Sequence, residues 1–270
     1  MSHNHMFGSS DEHDSAGVPW EGRTFEANKH AGDDGSADPA YLAAIGRLRA
    51  GNLQDEDLTD AHEQVVAAVA QARFLVPILA VAGDEGVNDR GLTVDKTQEL
   101  ALFLVEGPGG KKVQPVFSSV DTMKAWNPQA RPVPTQARMI ALATAEGEAD
   151  WIVIDPVERT EFVLRRSAID AIVQGKTWVA PYRDPEVVDA FRESTQGSKF
   201  VNHIHMGLGD PEAKGVNDEL IVQVVVEPGT DPDALHAELT EIATKWQNSP
   251  IITHRTESIK IDIAVEGHSH

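Results

Sequence analysis

The sequence predicts an α+β protein of two small mixed domains, the second a β-β-α-β unit with a helix packed on an antiparallel sheet. Three observations carry this expectation. Apolar residues recur at helical spacing directly after Asp-Pro, as at Asp38-Pro39 and Asp231-Pro232. Short apolar runs such as Trp151-Ile152-Val153-Ile154 stand between Gly, Pro and acidic residues, the punctuation of strands. After the Pro-bounded stretch 181–185, a plausible linker, the texture changes to strand, strand, helix, strand. The expected boundaries are 1–36 for a disordered tail or extended arm, 37–180 for the first domain and 181–270 for the second.

Residues 1–36 are rich in Gly, Ser, Asp and His, a composition that buries too little apolar surface to order itself. Trp20 and Phe25 are costly to leave in water and favour an arm laid against the body. From the Asp38 cap, Tyr41, Ile45 and Leu48 mark a helix stopped by Gly51. A second helix from about Glu56 aligns Leu58, Ala61, Val65, Val69 and Ala72, with His62 at the stripe edge as a surface histidine. The apolar run 74–81 contains Pro77, which suits an edge strand or a bulge. Residues 83–96 read as an acidic loop.

Runs 100–105 and 113–117 predict a hairpin about Gly107-Pro108-Gly109-Gly110. Ser118 or Ser119 caps a short helix bearing Met123 and Trp126. Pro128, Pro132 and Pro134 then force extended backbone, because proline disfavours helix in the residue before it. A helix over 135–146 closes at Gly147, and short strands follow at 151–154 and 162–164. Ser167 and Asp170 have capping-box spacing for a helix ending at Gly175. In the last part, strands at 200–208 and 220–226 precede a helix with Leu235, Leu239, Ile242 and Trp246 on one stripe. Ile259, Ile261, Ile263 and Val265 alternate with Lys260, Asp262 and Ala264, a half-buried final strand.

Composition excludes several chemistries. With 23 basic and 43 acidic side chains the formal charge is -20, which repels phosphate backbones and argues against nucleic-acid binding. Cysteine is absent, which removes disulfides, thiolate nucleophiles and Cys-based metal sites. The start MSHNHMFGSS lacks the basic and apolar regions of a secretory signal. No stretch approaches the ~20 apolar residues that span a bilayer. The expected location is the cytoplasm.

No acid, base and nucleophile converge in the sequence, so no catalytic residue and no cofactor is assigned. Gly107 to Lys112 resembles a phosphate loop only in composition. Lys112 stands where Ser or Thr belongs, and a strand follows where a helix should. Ser118 and Ser119 lack the context of a nucleophile elbow. Asp155, at the end of a buried strand, together with Arg165 and Arg166, is the candidate site for an anionic or zwitterionic ligand or a partner. A turn-forming Asp and a helix-entry ion pair is the competing reading. His203 and His205 alternate on one strand face and form a weak candidate metal pair, lacking a third ligand where Gly207 stands. The terminal histidines His3, His5, His268 and His270 offer no fixed geometry.

The blocks AGVPWEGRTF, DDGSADPAYLAAI, ARFLVPILAV, VQPVFSSVDTMKAWNPQARPVP and ADWIVIDP with FVLRRSAIDAIVQGKTW resemble the SseB family in its actinobacterial form. The likeness is strongest over 75–178, the family's N-terminal domain. Its name, enhanced serine sensitivity, records a growth phenotype, and the resemblance implies no reaction, catalytic residue or cofactor. The expected function is therefore non-enzymatic binding of a protein partner or small metabolite. An enzyme or sensor of amino-acid metabolism and a structural homo-oligomer subunit are the alternatives.

Overall fold

The computed structural model describes residues 32–51, 53–79 and 103–266; most of the expected arm and the acidic loop 83–96 lie outside these. Helix α1 (Pro39–Leu48) starts where the Asp38 carboxylate accepts the amides of Ala40 and Tyr41, at 2.8 and 3.2 Å. Its buried Tyr41, Ile45 and Leu48 belong to the same core as Ala61, Val65 and Val69 of α2 (Asp55–Gln71). Strand β1 (Arg73–Ile78) follows. Strands β2 (Val105–Glu106) and β3 (Lys112–Val116) form a hairpin around a 3-10 turn at Pro108–Gly110; of the first strand expected over 100–105, only Val105 is strand, 103–104 are not, and 100–102 lie outside the described residues. Gly109 and Gly110 take φ of 67° and 75° there, where a side chain would be strained.

Ser119, not Ser118, caps α3 (Val120–Trp126), through a capping box with Thr122. The proline-rich stretch becomes β4 (Arg131–Gln136), paired antiparallel with β1 so that Pro132 faces Pro77. Two proline-bearing strands suit one another because neither supplies a full ladder of donors. Helix α4 (Ala137–Glu146), β5 (Trp151–Ile154), β6 (Phe162–Leu164) and α5 (Arg166–Gln174) complete this half. The second sheet runs β2-β3-β5-β6. One face joins Val116, Ile152, Ile154, Phe162 and Leu164 to the helical core, and the other carries Val113, Trp151, Val153 and Val163. Gly175 closes α5 in the left-handed region, as its position predicts. Ser167 does not cap it. Arg165 is the cap residue, without a side-chain bond, while Asp170 pairs with Arg166 at 3.3 Å.

Past 181 the chain enters α6 (Pro185–Ser194), capped by Asp184. Strands β7 (Val201–Leu208) and β8 (Leu220–Val226) pair antiparallel. Helices α7 (Pro232–Asn248) and α8 (Pro250–Arg255) then carry the chain to β9 (Ile259–Val265), which lies parallel to β8. The expected antiparallel sheet is thus mixed. A helical crossover returns the chain to the side it left, which forces the parallel pairing. Val187, Phe191, Leu220, Val222, Val224, Ile242 and Trp246 form its core. The fold is α+β, and residues 35–270 cluster as one compact unit.

Candidate functional site

The β5–β6 pairing decides how the singled-out polar residues relate. Asp155 follows the end of β5, and Arg165 follows the end of β6. Since Ile154 lies opposite Phe162 and Ile152 opposite Leu164, the two occupy opposite ends of the hairpin, separated by about 10–13 Å of strand rise. They share no hydrogen-bond partner.

Asp155 is fully buried with φ of 47°. Its Oδ1 accepts from the Ser118 amide (2.7 Å) and Thr122 Oγ1 (2.8 Å), and its Oδ2 from Ser118 Oγ (2.6 Å) and Thr160 Oγ1 (2.8 Å). Four donors fill a carboxylate's acceptor sites. This residue ties the turn after β5 to the start of α3. Arg166 lies on the exposed first turn of α5, held by Asp170 and by the Ala145 carbonyl at 3.2 Å.

Arg165 is buried against the loop between β7 and β8. Its Nη2 donates to Asp210 Oδ2 (2.9 Å) and to the Asn217 carbonyl (2.7 Å), and its guanidinium lies 5.2 Å from the Trp151 ring centre. Its Nε and Nη1 make no hydrogen bond among the described residues. The Trp151 indole N–H is shared between both oxygens of Glu257, at 2.6 and 2.7 Å, and Lys111 reaches the same carboxylate at 2.8 Å. Gly215 makes this packing possible: its φ is 69°, and a Cβ there would stand 2.7 Å from Trp151.

Arg165, Trp151, Lys111, Glu257, Asp218 and Lys260 line an open cleft of about 700 Å³. Behind it sits Glu219, which accepts the Glu257 amide at 2.7 Å and faces Ser167 Oγ at 3.4 Å. Burial pushes its carboxyl up to about 7, against the lowering effects of the Glu257 amide and Arg165. Ser167, expected as a cap, instead accepts the Trp178 indole N–H at 3.1 Å. A separate, partly open pocket adjoins Arg165, Asp210, Glu219 and His62. His62 is buried, not exposed as expected; its Nε2 lies 2.9 Å from the Pro211 carbonyl, and burial lowers its pKa. The stripe edge that seemed to face water is covered by the 209–218 loop, which no local pattern near His62 announces.

His203 and His205 do share the exposed face of β7, with ring centres 4.7 Å apart. Among the described residues no three ligating side chains gather at one point. The terminal histidines lie outside the described residues. Sequence reasoning missed Trp151, Asp210, Glu219 and Glu257, which come from separate segments. The one local signal was Gly209-Asp210-Pro211, a turn signature within a polar stretch.

Architecture and cleft define a mixed α+β protein in which a polar cleft opens beside a buried Arg–Asp pair. A family profile described as SseB protein N-terminal domain matches residues 52–171. The match covers less than half of the chain and marks residues 52–171 as similar to that family's N-terminal domain. Comparison with curated proteins and with solved structures returned no match. Among the described residues no helix is long and apolar enough to cross a membrane.

Proposed function

We propose that this chain is a non-catalytic cytoplasmic binding protein whose cleft takes a small carboxylate-bearing metabolite. The observation that supports this is Arg165: a guanidinium fixed on Trp151 and Asp210, lining the cleft, with Nε and Nη1 unengaged. Nε and Nη1 diverge across the guanidinium, so each can donate a single charge-assisted hydrogen bond to a carboxylate oxygen. Glu257 and Asp218 on the same wall suit the amine of a zwitterion, which favours an amino acid over a simple acid. Thermal melts with a panel of amino acids and hydroxy acids, serine included, test the reading. A ligand at ~100 times its dissociation constant adds ~2.7 kcal/mol. That gain should vanish in Val216→Trp, which fills the cleft from an exposed position. No stabilising compound at millimolar concentration, or a gain that survives the filled cleft, overturns the proposal.

A further inference from the structure

The β7-β8-β9 sheet leaves β9 as an edge, and no described element pairs with its outer side. Natural edges are blunted by bulges or charge. The other edge, β7, has a register shift between Val201 and His203, whereas β9 keeps unbroken register over all seven residues. Ile261, Ile263 and Val265 remain 40%, 54% and 40% exposed on the side that Ile259 shares with the core.

The main chain fixes which residues an added strand would meet. The Leu220 amide donates to the Ser258 carbonyl, and the Glu266 amide donates to the Val226 carbonyl, at 3.1 and 2.9 Å. Backbone direction alternates along a strand. Ser258, Lys260, Asp262, Ala264 and Glu266 therefore aim their peptide groups at β8. Ile259, Ile261, Ile263 and Val265 aim theirs outward.

We infer that β9 is a self-pairing edge, docking antiparallel on β9 of a second copy about a two-fold axis at Ile261. In that register Ile261 meets its own counterpart and Ile259 meets Ile263, all in outward-bonding positions that complete the ladder. Lys260 of each copy falls opposite Asp262 of the other, in the closer non-hydrogen-bonded pairing. Shifting the axis to Lys260 or to Asp262 would instead face like charge with like. The sequence Ile-Lys-Ile-Asp-Ile is thus complementary to itself reversed, in apolar pattern and in charge. The Lys260–Asp262 contact within each copy, at 3.1 Å, exchanges for a contact between copies, two for two. A strand-edge interface is small, so a reversible dimer with micromolar affinity is expected rather than an obligate one.

Sedimentation velocity of the full chain over a concentration series tests this. The wild type should form dimer. Lys260→Asp and Asp262→Lys, each placing like charges opposite one another twice, should weaken it at least ~10-fold. The double exchange K260D/D262K restores both contacts and should recover the wild-type constant to within ~3-fold; unchanged far-ultraviolet circular dichroism controls for folding. A monomer at all concentrations overturns the inference, as does a dimer indifferent to the single reversals or not rescued by the exchange. Protected Ile261 and Ile263 amides in a monomeric sample would assign the edge to another segment of the same chain, also overturning it. Lys260 also lines the cleft, so the test is read by sedimentation without ligand, and its outcome does not depend on whether a ligand binds.

Discussion

At the residue scale, burial decides what each carboxylate contributes. Glu219 is neutral below about 7 because water is excluded from it. Its folded pKa lies above the unfolded value, so its contribution is full below the ordinary carboxylate range and is lost as pH rises through about 7. Glu219→Gln keeps the acceptor for the Glu257 amide and should match the wild type near pH 5. Near pH 8 it should exceed it by up to about 3 kcal/mol in urea melts. A gap that does not change with pH would refute the neutral buried acid. Asp155 is the contrasting case, an acceptor saturated by four donors. Asp155→Ala strands a buried amide and hydroxyls at a left-handed position and should cost about 3–5 kcal/mol. Asp155→Asn tolerates that backbone and keeps one acceptor, so about 1–2 kcal/mol is expected; equal losses would show that charge rather than acceptor count matters. The strand-end rule singled out Asp155 with Arg165 and Arg166 but could not say that antiparallel pairing sets Asp155 and Arg165 at opposite ends of the hairpin.

At the element scale, one carboxylate organises the start of β7. Glu238 on α7 accepts from the Ser198 hydroxyl and from the Lys199 and Phe200 amides, the last two at 3.0 and 3.2 Å. Those donors outweigh partial burial and hold its carboxyl below the usual range. Glu238→Ala should lower stability by about 1–2 kcal/mol, with faster amide exchange at 199–201 and little change inside β8. The wild-type advantage should shrink as pH falls through the carboxylate range, because the folded pKa is depressed. Unaltered exchange at 199–201 would refute this anchoring role. Elements with strong local marks were legible: Asp38-Pro39 and Asp231-Pro232 opened helices, Gly175 closed one, and the prolines near 132 gave an extended strand. Helices α6 and α8 open on the same kind of signal, Asp184-Pro185 and Ser249-Pro250. Helix α8 spans only six residues, too few to show a period, whereas α6 is as long as α1 and its Val187 and Phe191 stand one turn apart, a signal that was there to be read. The parallel placement of β9 was not legible because direction is set by the crossover, not by the strand's own alternation.

At the scale of the whole molecule, the loop between β7 and β8 welds the stretches 37–180 and 181–270. The Val163 amide donates to the Ala213 carbonyl at 2.8 Å, continuing past the edge of β6, and Ala213 packs in the core of the first stretch. Arg165–Asp210 lies in the same seam, with side chains 9% and 3% exposed. Tyr182 and Arg183 hold to Thr59 and Asp60 of α2. Contacts across this seam couple unfolding on one side to unfolding on the other. Calorimetry of the chain should therefore give one transition, with calorimetric and van't Hoff enthalpies in agreement. Arg165→Ala removes the buried ion-pair partner of Asp210, leaving it only the Gly215 amide on that oxygen, and should lower that transition by the equivalent of about 3–5 kcal/mol. Because the pair spans the seam, the loss should appear equally in the fluorescence of Trp151 and in the exchange of α7 amides around Trp246. A loss confined to one side, or two resolved transitions in the wild type, would mean that the seam does not transmit and that each stretch folds alone.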